Sequence, residues 1–223
     1  MTYTDSYTPT PRMKMADLIN SAPGLLAVMY RYGMAPGFGD SSVEECCRKH
    51  GKDPFTFIAI CRTAMDGSWA PSAVELSRLK VSDIVTFLKN SHDSYQDTWL
   101  PYIKEQITAT MAEKSEQQRK VISEFFGKFR EELEKHFALE EKKIFPSLEA
   151  MMGGKPRSFR HEHGDIDEKI QDLINLLLKY IPASGTHDEV TGLLTQLYFL
   201  REDLSVHSRI EEALIMPLLT SER

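Results

Sequence analysis

The sequence has few cysteines, no excess of basic residues and no long apolar run. Its 223 residues include only three cysteines, an odd number that fits a reducing compartment better than a secreted disulfide framework. The net charge of −6 disfavours a nucleic-acid-binding surface, because neutralising phosphates requires an excess of Lys and Arg. No apolar stretch approaches the roughly 20 residues that span a bilayer. We therefore expect a soluble, cytoplasmic protein that binds neither nucleic acid nor membrane.

Turn-forming residues divide the chain into segments with different patterns. Residues 1–11 are rich in Thr, Ser, Tyr and Pro and contain neither a basic nor an apolar signal region, so we expect a flexible leader. In residues 12–65, short apolar segments alternate with Pro and Gly, which predicts a small domain of short helices. Residues 66–80, which contain Gly67, Pro71 and several serines, are the predicted linker. The remaining residues, 81–223, carry longer periodic stretches.

Four stretches in residues 81–223 have apolar residues at spacings of three and four, the period of one buried helical face. Polar or Pro-containing turns separate them, which predicts an all-α antiparallel four-helix bundle after the small helical domain. Pro101 falls inside the first helix, where its ring should clash with the carbonyl of Asp97 and bend the helix. The apolar positions include Val81, Ile84, Val85 and Leu88, then Ile122, Phe125, Phe129 and Leu133, then Ile166, Ile170, Leu173 and Leu177, then Val190, Leu193, Leu197 and Leu200.

An internal repeat with an offset of 71 residues relates the two predicted hairpins of this bundle. The repeat aligns the segment HFALEEKKIFP, which starts at His136, with the segment HSRIEEALIMP, which starts at His207. It also aligns His92 of the first hairpin with His163 of the second. The polar residues that recur are His92, His136 and Glu140 in the first hairpin and His163, His207 and Glu211 in the second.

The positions of these four histidines predict that they meet in one layer of the bundle. Each lies 22 residues from the middle of its hairpin turn, or about 33 Å along a helix. His92, His136 and His207 also fall on the apolar stripes of their helices, which turns them inward. Glu140 and Glu211 each follow a histidine by four residues, so the two side chains share one helical face. The interior of the bundle is therefore expected to hold four imidazoles and two carboxylates.

Carboxylates and imidazoles buried in one layer are best explained by a metal site. A lone buried histidine is more often a core residue, but two desolvated carboxylates cost several kcal/mol each unless a cation compensates them. Six ligands exceed the four of a tetrahedral zinc ion, whereas two ions bridged by the glutamates and capped by two histidines each would use all six. Mixed nitrogen and oxygen donors favour iron first, and manganese or zinc second.

The neighbouring polar residues have smaller expected roles. Glu141 and Glu212 come one position after the proposed bridging residues, and we expect them to face outward. Asp167 follows His163 by four residues and is a minor ligand candidate. Tyr95 is expected to pack in the core or to donate a hydrogen bond to a ligand. His161 is expected on the surface or in contact with a ligand, and His50 and His187 are expected in solvated loops. Structural or incidental roles are expected for Cys46 and Cys47.

With these motifs, residues 81–223 resemble the hemerythrin-like HHE cation-binding family. The resemblance rests on the two H-x-x-x-E-E motifs, the Glu162-His163 pair and the isolated His92. The short helical module before the bundle is similar to the layout of the Repair of Iron Centers family of iron–sulfur cluster repair proteins. The resemblance implies two iron ions with carboxylate and oxo or hydroxo bridges. The implied terminal ligands are His92, His136, His163 and His207, and the implied bridging carboxylates are Glu140 and Glu211.

Three functions are compatible with this sequence. The first is a cytosolic di-iron protein of the nitrosative and oxidative stress response, acting by iron donation to damaged iron–sulfur proteins or by redox chemistry of NO and O₂. The second is a carrier or sensor that binds O₂ or NO without catalysis. The third, a metal-free interaction scaffold, leaves the matched layer of ligands unexplained. The sequence fixes neither the oligomeric state nor whether the protein is an enzyme.

Overall fold

Helices account for most of the computed structural model, which describes residues 8–151, 164–180 and 187–220. Within these ranges the chain forms no β-strand, and Lys14 and Ser42 form an isolated antiparallel bridge. The predicted all-α fold class is therefore confirmed. In the same ranges, no helix is both long enough and apolar enough to cross a bilayer.

Five short helices come first in the chain, and three of them begin at sequence-encoded caps. Ser42 accepts a hydrogen bond from the backbone N–H of Glu45, whose carboxylate accepts one from the backbone N–H of Ser42. Asp53 caps the next helix, which has Pro54 in its first turn. Ser72 forms a second capping box and starts a helix inside the predicted linker. The helices are α1 (Met15–Ser21), α2 (Leu25–Arg31), α3 (Val43–Lys49), α4 (Pro54–Met65) and α5 (Ala73–Ser77).

The three cysteines lie in α3 and α4 and are buried free thiols. Burial raises the pKa of Cys46 and Cys61, and it raises the pKa of Cys47 to about 12. Because the thiolate is the reactive form of cysteine, a raised pKa suppresses reaction with electrophiles and oxidants at neutral pH. Their burial supports the structural role inferred for Cys46 and Cys47.

We expect Cys47 to react with iodoacetamide at pH 7 about a thousandfold more slowly in the folded protein than in urea. The reason is that its pKa is about 12, compared with 9.0 for an unperturbed thiol, so far less thiolate is present. Mass spectrometry of the alkylated peptides at timed intervals gives the rate for this residue. A folded-state rate within tenfold of the rate in urea would contradict the buried placement of this thiol.

Four long helical stretches follow, as the apolar periodicity predicts. Three of them contain a five-residue π-helical segment, in which the turn is wider than in an α-helix. In chain order the first stretch is α6 (Val81–Ser94), π1 (Tyr95–Trp99) and α7 (Leu100–Thr110), the second is α8 (Glu116–Leu139), π2 (Glu140–Ile144) and α9 (Phe145–Met151), the third is α10 (Gly164–Tyr180), and the fourth is α11 (His187–Ile210), π3 (Glu211–Ile215) and α12 (Met216–Thr220).

An apolar core fills the bundle formed by the middle parts of these stretches. The Tyr95 hydroxyl donates to the carbonyl of Asp203 at 3.2 Å, and the Gln196 amide donates to the hydroxyl of Tyr102 at 3.3 Å. Residue numbers thus rise along the first stretch as they fall along the fourth, so these two are antiparallel. Each fully buried Leu or Phe contributes about 1.5–3 kcal/mol to the free energy of unfolding. The core includes Leu100, Ile103, Ile107, Phe126, Phe129, Leu133, Phe137, Ile170, Leu173, Leu177, Leu193, Leu197 and Leu200.

The chain divides into two compact units, with cuts in the described residues at positions 91/92, 146/147 and 208/209. One unit contains α1 to α5, and the other contains the bundle core named above. The sequence-based boundaries after residues 11, 65 and 80 stay predictions. Within the predicted leader, Pro9 is buried, and the Pro11 carbonyl accepts a hydrogen bond from the backbone N–H of Glu44 at 2.9 Å.

Candidate metal centre

Each of the three π-helical segments ends directly before an X-Pro pair. The backbone N–H groups of Leu100, Phe145 and Met216 each donate to the carbonyl five residues earlier, and a proline comes next in the chain. In an α-helix the proline ring would clash with the carbonyl four residues earlier, and a wider turn relieves that clash. The strain expected at Pro101 is therefore accommodated by π1 within a continuous helical stretch.

Two of the π-helical segments coincide with the repeated glutamates. The segments π2 and π3 have the same length and begin at Glu140 and Glu211, which are separated by the 71-residue offset. The internal repeat is thus present in the backbone conformation as well as in the sequence. Single π turns inside α-helices are frequent at functional sites. Here each begins at a predicted bridging carboxylate.

Four predicted ligands form a buried polar group. The exposed fractions of His92, Glu140, Glu211 and His207 are 0, 0, 2 and 3%. One potential ligand atom from each side chain lies within 4.8 Å of those of the other three. Burying carboxylates costs several kcal/mol unless cations or hydrogen-bond donors compensate them. Imidazole nitrogens and carboxylate oxygens together are a donor set that suits iron, manganese or zinc.

His92 is oriented by aromatic rings on one side and by the polar group on the other. Its ring stacks on Phe137, with a centroid distance of 4.0 Å and an interplanar angle of 14°, and on Phe145 at 5.7 Å. Its Nε2 atom lies 3.0 Å from Oε2 of Glu140 and 3.3 Å from Nε2 of His207. The nitrogen that could ligate a metal ion therefore faces the other candidate ligands.

The two carboxylate oxygens of Glu140 lie close to two different histidines. Oε2 lies 3.0 Å from Nε2 of His92, and Oε1 lies 2.9 Å from Nε2 of His136. His136 precedes Glu140 by four residues and has a side chain that is 11% exposed, so the predicted sharing of one helical face is observed. A carboxylate placed in this way has one oxygen available for each of two neighbouring cations.

The outward orientation expected for Glu141 is wrong. Its Oε1 atom lies 2.8 Å from Nδ1 of His92 and accepts a hydrogen bond from that nitrogen, although 39% of the side chain is exposed. The cause is local, because Glu141 lies in π2, and consecutive side chains diverge less around a wide π turn than around an α-helical turn. The Pro146 that follows π2 is the sequence signal that could have indicated this wider turn.

Among the other residues singled out in the sequence, Tyr95 lies in the core, whereas Asp167 and His50 lie at the surface. Tyr95 is buried, stacks on Phe137 at 5.7 Å and donates to the backbone carbonyl of Asp203, so it packs in the core. Asp167 is exposed. His50 is also exposed, and its Nδ1 donates to a backbone carbonyl at 2.9 Å. Predictions for the following residues or side chains lie outside the described part of the chain: His161, Glu162, His163 and the side chain of His187.

Comparison with known proteins agrees with this geometry. The family model of the hemerythrin HHE cation-binding domain matches residues 83–219, which is more than half of the chain and includes all six predicted ligands. No curated protein shows significant similarity to the sequence. The buried group of histidines and glutamates offers donor atoms for the cation binding that the family's description names. The chain belongs to the hemerythrin HHE cation-binding family.

Proposed function

We propose that the buried group holds two iron ions and uses them for redox chemistry of NO or O₂. The observation that carries this proposal is the carboxylate of Glu140, whose two oxygens face two different histidines. A bridging carboxylate needs this orientation, with one oxygen towards each ion. Glu211 is its counterpart in the repeat. The terminal nitrogen ligands in this proposal are His92, His136, His163 and His207, and manganese or zinc could occupy the same donor set.

Reduction of NO to N₂O requires two electrons, which two iron ions held close together would supply. When bound, two ferrous ions supply the two electrons that convert two NO molecules and two protons into N₂O and water, and an external electron donor restores them. The residues of the chain fix the ions and limit access to them. The rings of Phe137 and Phe145 cover His92, which has no exposed surface, and so keep bulk water from its side of the group.

The proposed setting is the response to nitrosative or oxidative stress in the cytoplasm, with NO, O₂ or damaged iron–sulfur proteins as partners. This assignment draws on the similarity in layout to the Repair of Iron Centers family. The burial of the grouped ligands favours redox chemistry over iron donation as the main function. The four grouped ligands are at most 3% exposed, so a diatomic molecule reaches them more easily than an iron ion leaves them.

An NO-consumption assay tests this proposal. Protein reconstituted anaerobically with ferrous iron is mixed with NO, and N₂O is measured by gas chromatography. We expect one N₂O per di-iron chain in a single turnover, and none for Glu140→Ala. The His50→Ala variant is the matched control, because His50 is exposed and lies outside the grouped residues, and it should behave like the wild type.

The alternative function, an O₂ or NO carrier or sensor, gives a different result in the same experiment. A carrier binds NO in proportion to its iron and releases it unchanged when the gas is removed, without forming N₂O. Aerobic absorption spectra add a second comparison, since an O₂-dependent change that reverses on deoxygenation indicates a carrier. Irreversible oxidation on first contact with O₂ indicates redox chemistry.

A further inference from the structure

The two ring nitrogens of His92 have different partners. Nε2 faces the grouped ligands, 3.0 Å from Oε2 of Glu140 and 3.3 Å from Nε2 of His207. Nδ1 faces away from them and lies 2.8 Å from Oε1 of Glu141. An ionised carboxylate can only accept a hydrogen bond, so Nδ1 carries a proton. Nε2 is then the nitrogen whose lone pair a metal ion would take, in place of a proton shared with the nearby Oε2 of Glu140.

Stacking alone does not select this orientation of His92. The ring stacks on Phe137 and Phe145, which fix its plane but would accept the ring equally well after a flip of 180°. The flip would move Nδ1 away from Glu141 and place a carbon atom there. It would also move Nε2 away from Glu140 and His207. The polar contacts therefore distinguish the two orientations, and the hydrogen bond to Glu141 is the one among them that comes from outside the grouped ligands.

We infer that Glu141 is a positioning residue that fixes the tautomer and the ring orientation of His92, and thereby raises the affinity of the site for its first metal ion. This inference rests on the proposed metal binding. Carboxylates that accept a hydrogen bond from a metal-bound histidine orient that ligand and increase its basicity. Glu141 is suited to this role because it is anchored in π2 at the edge of the group, where its side chain is 39% exposed and its carboxylate stays in contact with solvent.

The internal repeat extends the inference to the second hairpin. The offset of 71 residues that relates Glu140 to Glu211 also relates Glu141 to Glu212 and His92 to His163. Glu212 lies in π3 at the position that Glu141 occupies in π2. The sequence therefore assigns Glu212 the same role towards His163, and each hairpin would contribute one bridging glutamate followed by one positioning glutamate.

Metal affinity measured by chelator competition tests the role of Glu141 without reference to any catalytic activity. The variants are Glu141→Ala, which removes the acceptor, and Glu141→Gln, which keeps an acceptor oxygen and removes the charge. Loss of a carboxylate partner of a ligating histidine typically weakens metal binding about 10- to 100-fold. We expect that loss of affinity for Fe²⁺ and Zn²⁺ in Glu141→Ala, and an intermediate affinity in Glu141→Gln. Glu131→Ala, which removes an exposed glutamate of α8, should bind like the wild type.

Nuclear magnetic resonance of the zinc-loaded protein supplies a signature that a purely structural role would not change. In the wild type and in Glu141→Gln, long-range nitrogen–proton correlations should show a protonated Nδ1 on His92 with slow exchange. In Glu141→Ala this proton should exchange rapidly with water. Wild-type affinity and an unchanged Nδ1 proton in Glu141→Ala would overturn the inference. Absence of metal binding in the wild type would instead overturn the proposed function, so the two failures are distinguishable.

Discussion

Replacing Glu140 with alanine is expected to reduce the iron bound by the chain from two ions to fewer than one. The carboxylate of this residue faces both His92 and His136, so its loss removes one donor from each of two proposed ions. A bridging ligand also screens the repulsion between the two cations, and neither ion is held as well without it. Anaerobic titration with ferrous iron, followed by gel filtration and metal analysis, gives the stoichiometry.

The iron stoichiometry of a Glu141 variant is the control for the Glu140→Ala result. Glu141→Ala should still bind two ions when iron is in large excess, because it removes a hydrogen-bond partner of a ligand and no ligand. Glu140→Ala should stay below one ion at the same iron concentration. Equal stoichiometry of two in both variants would mean that Glu140 does not bridge, and the assignment of the ligands would have to change.

Iron binding is also expected to raise the thermal unfolding midpoint by about 5–10 °C. A ligand that binds only the folded state adds about 2.7 kcal/mol to the free energy of unfolding when its free concentration is 100 times its Kd. For a chain of this length, each kcal/mol corresponds to about 2–4 °C. Anaerobic scanning calorimetry with and without ferrous iron measures the shift.

The Glu140→Ala variant separates specific binding from a general effect of the ion. Its unfolding midpoint should be nearly the same with and without iron, because the high-affinity site is lost. His50→Ala should retain the full shift, since this exposed residue makes no contribution to the grouped ligands. An equal shift in Glu140→Ala would indicate that iron stabilises the chain by binding elsewhere.

The fold and much of the site could be predicted because the relevant signals are periodic. Apolar residues at spacings of three and four placed Leu88, Leu133 and Leu204 on buried faces, and histidines at the same spacing share those faces. The internal repeat then related the two hairpins to each other. The structure brings His92, Glu140, His207 and Glu211 into one group, and it places His136 against Glu140. The ligand role of these residues and of His163 stays a prediction.

The contacts of Glu141 could not be predicted from the same periodicity. Counting residues at a constant α-helical period assumes a constant angle between successive side chains, and that angle changes in π1, π2 and π3. A constant period therefore turns Glu141 outward and does not predict its hydrogen bond to His92. A proline inside a helix predicts bending, as expected at Pro101. Steric relief by a wider turn is a second response to proline, and only the structure shows which one occurs.

The iron content of the protein purified from iron-replete cells tests the central claim most directly. Mass-spectrometric metal analysis of the wild type, His136→Ala and Glu211→Ala compares a histidine of the first hairpin with a glutamate of the second. A carboxylate-bridged di-iron site predicts two iron ions per wild-type chain and fewer than one in each variant. Fewer than one metal ion per wild-type chain, with no change in either variant, would contradict it.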